Sequence, residues 1–77
     1  MTPIYDWTRF DALRERLREE QKTAIHPQGI ARTRGRMADA WEAMERGQAV
    51  RMRQADRYVW VHTPDHFLDA WEAGYRP

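Results

Sequence analysis

The stretch "RMRQADRYVWVH" (51–62) holds the side chains best suited to chemistry at a surface. Arg51 and Arg53 alternate with apolar Val50 and Met52, while Tyr58, Trp60 and His62 alternate with Val59 and Val61. On a strand this period-two pattern puts guanidinium groups and aromatic rings together on one face. Such a face neutralises phosphates or carboxylates and offers rings for stacking, and Arg, Trp and Tyr are also the residue types that anchor protein interfaces. A second basic run, "RTRGR" (32–36), contains no acid. The candidate partner-binding residues are therefore Arg32, Arg34, Arg36, Arg51, Arg53, Arg57, Tyr58 and Trp60. The ordinary alternative for the hairpin is cross-strand cation–π packing, partly covered by a helix. The R-G-R core lacks the flanking prolines of a minor-groove ligand.

Catalytic chemistry has little to work with. The chain has no serine and no cysteine, and its five threonines lack an evident activating base. No glycine-rich phosphate loop occurs, and each carboxylate has a cap or a solvated helix face to explain it. His62 and His66 have H-x3-H spacing with Asp65 and Asp69 nearby, but two histidines without cysteine partners form a weak zinc signal. The expectation is a protein that is not an enzyme, with no catalytic residues, no cofactor and no metal.

The elements that position these groups must come from one small chain. At 77 residues it buries roughly 60–65% of its unfolded surface, so stability is marginal, and no disulfide reinforces it. Trp7, Trp41, Trp60, Trp71, Tyr5, Tyr58, Tyr75, Phe10 and Phe67 supply the area for a core. Twelve of the thirteen basic residues are arginine, and serine and asparagine are absent, a bias that fits a high-GC coding source such as a bacterium, its phage or a plasmid. No apolar run approaches the ~18 residues of a membrane span, and no signal-peptide pattern opens the chain, so a cytoplasmic location away from membranes is expected. The net charge of +1 is laid out in blocks. Residues 1–24 balance, 25–37 are basic, 38–46 are acidic, 47–62 are basic and the tail is acidic.

Trp7, Phe10, Leu13, Leu17 and Ala24 recur at helical spacing over 7–24, with Ile25 on the same face. Asp6 is the expected N-cap, with Tyr5 stapled on Phe10. "HPQG" (26–29) interrupts the pattern at Pro27, and a second helix is expected from about Ile30 to Arg46, ending at Gly47, with Gly35 as its weak point. The hairpin turns in "QADR", and a two-residue Ala55-Asp56 loop or a four-residue loop over 54–57 gives the same pairing: Met52 with Val59, Val50 with Val61, Arg53 with Tyr58 and Arg51 with Trp60. Thr63 then caps a third helix, Pro64 opens it and Gly74 stops it. "DAWEA" occurs at 39–43 and 69–73, but Gly47 follows Trp41 by six residues and Gly74 follows Trp71 by three. The surroundings are out of phase, so this is a pentapeptide used in two helices, each with its tryptophan facing inward, and not a module.

The predicted fold is α+β: a helical hairpin, a two-stranded antiparallel β-hairpin and a C-terminal helix, in one domain over 1–77. Trp41, Trp71, Phe10, Leu13, Leu17, Val59 and Val61 are expected in the core. The expected function is binding, with a larger protein or complex as partner and the chain a monomer or homodimer. By class, not by shared motif, small proteins of this size and origin include phage- or mobile-element-encoded inhibitors of larger bacterial machines, such as anti-CRISPR proteins. The alternative is a nucleic-acid-binding, winged-helix-like regulator, in which helix two breaks at Gly35 and residues 36–46 enter the groove. Asp39, Glu42 and Glu45 on that segment argue against such docking.

Overall fold

A computed structural model describes residues 5–77. The elements run α1 (Thr8–Thr23), α2 (Pro27–Glu45), β1 (Val50–Gln54), β2 (Arg57–Val61) and α3 (Pro64–Glu72). This is the α+β architecture expected from the periodicities. Phe10, Leu13 and Leu17 of α1, Met37, Ala40 and Met44 of α2, and Phe67, Leu68 and Ala70 of α3 close on Met52 and Val61 of the hairpin. Fully burying a ring such as Phe10 or Phe67 stabilises by roughly 1.5–3 kcal/mol.

Local chemistry explains most boundaries. Asp6 Oδ1 accepts the Thr8 N–H (2.9 Å) and the Trp7 carbonyl accepts from Asp11, so the capping carboxylate stands one residue before the turn that starts α1. Tyr5 packs edge-on to Trp7, 6.2 Å between centroids, instead of on Phe10. Thr63 Oγ1 accepts the His66 N–H (3.1 Å) with Pro64 in the first turn of α3, as expected. Both later helices end in the same way. At Gly47 (φ 78) the Gly47 N–H donates to the Met44 carbonyl (3.0 Å) and the Gln48 N–H to that of Ala43 (2.9 Å). At Gly74 (φ 99) the Gly74 N–H donates to the Trp71 carbonyl (3.0 Å) and the Tyr75 N–H to that of Ala70 (2.9 Å). These are paired Schellman closures, each requiring a left-handed residue that glycine adopts without strain.

Three further expectations need correction. α2 begins at Pro27, not near Ile30, because proline is favoured in a first turn, where its missing N–H is not needed. It runs unbroken through Gly35, so the two helices expected before the hairpin are the ones that form. Ile25 does not rejoin the apolar face; it lies in the bend between α1 and α2 and is 90% exposed. Trp41, Trp71 and Val59 flank the core half-buried, while Met37, Met44 and Met52 fill its centre, since the unbranched thioether fits the gaps among rings of fixed shape.

Candidate interaction face

The hairpin pairs as the alternation requires: Val50 with Val61, Arg51 with Trp60, Met52 with Val59, Arg53 with Tyr58 and Gln54 with Arg57. Its turn is Ala55-Asp56, with Ala55 in the left-handed region (φ 52). Cross-strand partners share a face. Met52 and Val61 are buried, so Arg51, Arg53, Tyr58 and Trp60 look outward. Trp60 is 58% and Tyr58 51% exposed. Cross-strand packing is nonetheless real: the Arg51 guanidinium lies over the Tyr58 ring at 4.9 Å, a diagonal pair across the ladder. His62 follows β2 and is exposed.

A feature that the sequence reading did not single out adjoins this face. After Gly74 the chain turns back along β1, where the Arg53 N–H donates to the Arg76 carbonyl (2.8 Å) and the Arg76 N–H to that of Arg53 (2.9 Å). The tail thus adds a third backbone partner to the hairpin. A Cβ on Gly74 would also push aside the Gln54 side-chain amide, which is exposed and can move. Arg36, Arg51, Arg53, Ala55, Arg76 and Pro77 then line a recess of 460 Å³ along the β1 edge. The Schellman glycine at 74, followed by an arginine, was the available signal; what it could not give was the strand the tail would meet.

Of the eight candidate residues the structure brings five together, Arg36, Arg51, Arg53, Tyr58 and Trp60, on the outward face or in the recess beside it. The other three lie apart from the recess lining. Arg34 is half-buried and its Nε donates to the Arg14 carbonyl (3.2 Å), tying α2 to α1. Arg32 is exposed one turn before Arg36, and Arg57 is exposed beside the hairpin turn.

No carboxylate side chain of the described residues lines the recess. Among the described residues, ion pairs involve Arg9 with Asp65 (3.5 Å) and Glu72 (3.9 Å), Arg18 with Glu15 (3.9 Å) and Lys22 with Glu19 (3.0 Å), none on the hairpin. Burial pushes the Arg76 guanidinium below its ordinary value. No group of three His, Cys, Asp or Glu lies together as a metal site among the described residues, and the His66 N–H serves the α3 cap. Nor is any helix among them long and apolar enough to cross a membrane. No protein-family model, curated protein or solved structure matches the chain.

Proposed function

We propose that this chain is a non-enzymatic binding protein that docks on a larger protein through the outward face of its hairpin. The observation that carries this reading is the exposure of Trp60 and Tyr58 across the strand from Arg51 and Arg53, on a ladder whose opposite face is locked into the core. Large rings left in water on a rigid support lose little conformational entropy on docking, and Trp, Tyr and Arg dominate interface hot spots. Small size, arginine-rich composition and the lack of serine and cysteine fit, by class, an inhibitor or regulator of a larger bacterial machine, of the kind that phages and mobile elements encode.

The test is capture of a partner from a lysate of the source cell, with and without nuclease, by the parent chain and by Trp60→Ala. A nuclease-resistant protein partner lost with Trp60→Ala supports docking by this face. Recovery of nuclease-sensitive material alone favours the second reading, a nucleic-acid binder, for which accessible rings beside arginines would serve as a stacking platform. In that case affinity falls steeply with salt and Trp60→Ala weakens binding by about 1–3 kcal/mol.

A further inference from the structure

The recess beside the hairpin deepens the protein-docking reading, on which this inference rests: we propose that it receives carboxylate side chains from an acidic segment of the protein partner. Four arginines, Arg36, Arg51, Arg53 and Arg76, come from three separate parts of the chain to line one cavity of 460 Å³. Arg51, Arg53 and Arg76 are held by neutral groups. Arg36 Nη1 donates to the Pro77 backbone oxygen (3.3 Å) and Arg53 Nε to the Ala55 carbonyl (3.0 Å). Arg76 Nη1 donates to the carbonyls of Trp71 (2.9 Å) and Tyr75 (2.7 Å), and its guanidinium lies 3.7 Å from the centroid of the Trp71 ring. Arg51 rests on Tyr58. Neutral partners fix orientation without cancelling charge, and each guanidinium has five N–H donors, so most remain for a ligand. Like charges gathered this way destabilise the free protein, and an anionic ligand relieves that repulsion. The planar fork of arginine matches a carboxylate through two parallel hydrogen bonds.

The flanks decide in favour of a short acidic segment over a nucleic-acid backbone. Asp56 is exposed in the turn beside Ala55, and Asp39 is exposed on α2 three residues beyond Arg36. A phosphodiester strand carries a charge at every step and would run past these carboxylates, whereas a few acidic side chains end within the recess.

Arginine Nε–Hε signals of the full chain, followed by NMR during titration with hexaglutamate at low salt, test the proposal. Hexaglutamine and single-stranded oligothymidylate are the comparison ligands. Hexaglutamate is expected to move Arg36, Arg51, Arg53 and Arg76 while leaving Arg16 and Arg32 in place, hexaglutamine to move none, and oligothymidylate to bind more weakly than hexaglutamate. Arg36→Gln and Arg53→Gln are each expected to weaken hexaglutamate binding about tenfold, the loss of one charge-assisted contact. Shifts spread evenly over all arginines, or oligothymidylate binding as tightly as hexaglutamate, would overturn the proposal; these readings need no variant to fold. Capture of the protein partner by Arg36→Gln at full strength, with Trp60→Ala still abolishing it, removes the recess and leaves the docking face standing.

Discussion

Trp7 and Trp41 lie face to face, 4.4 Å between ring centroids and 4° from parallel, with the Trp41 Nε1–H donating to Glu45 Oε1 (2.9 Å). Phe10 meets both rings edge-on, at 5.2 Å and 5.5 Å, so one aromatic cluster joins the start of α1 to the C-terminal part of α2. Truncating Trp41→Ala removes the stack and opens space beside buried Trp7. A loss of about 3 kcal/mol is expected in urea unfolding, together with loss of the coupled-indole band in near-UV circular dichroism. An unchanged spectrum would mean that the two rings do not stack in solution.

Gly74→Ala places a Cβ both in a left-handed conformation and against Gln54. The expected destabilisation is at least about 1–2 kcal/mol, from the backbone strain alone. Because the tail is aimed by this residue, hydrogen exchange at the Arg53 and Arg76 amides should also accelerate. Equal protection in the variant would show that the tail docks independently of the helix stop.

Ala55 is the reverse case. It is not glycine, yet it sits at φ 52 in the hairpin turn. Ala55→Gly relieves steric strain of roughly 1–2 kcal/mol and forfeits roughly 0.5–1 kcal/mol through a freer unfolded chain. A net gain of about 0.5–1 kcal/mol is expected, seen as a higher thermal midpoint. A lower midpoint would place the turn in a different geometry.

Asp6 carries a pH signature. Hydrogen bonds from the Thr8 side chain and backbone hold its carboxyl below the ordinary value of 3.8. A pKa depressed on folding adds stability that is fully present above the unfolded value and is lost as pH falls through the folded one. The parent should therefore lose stability more steeply than Asp6→Ala as pH is lowered from about 4, the two converging in strong acid. Parallel profiles would remove Asp6 as a cap.

Trp60→Ala should separate binding from stability. The ring is more than half exposed, so the expected change in unfolding free energy is within about 0.5 kcal/mol while partner capture is lost. A variant that unfolds readily would instead assign Trp60 to the fold.

Periodicity together with the turn and stop residues determined the element types, the hairpin register and the helix stops at Gly47 and Gly74, because these depend on interactions between residues close in the chain. The outward placement of Arg51, Arg53, Tyr58 and Trp60 followed directly, since a strand alternates faces and Met52 and Val61 had to go inward. Burial among the tryptophans was not decided locally. Trp41 and Trp71 occupy identical pentapeptides, yet one stacks on Trp7 and the other lies beneath the Arg76 guanidinium, because their neighbours come from different elements. The recess was likewise beyond reach of any local rule. Arg36, Arg53 and Arg76 are separated by 17 and 23 positions, and only the return of the tail along β1 brings them to one cavity. Local sequence chose which side chains were polar and which way each element turned; long-range packing chose which of them met.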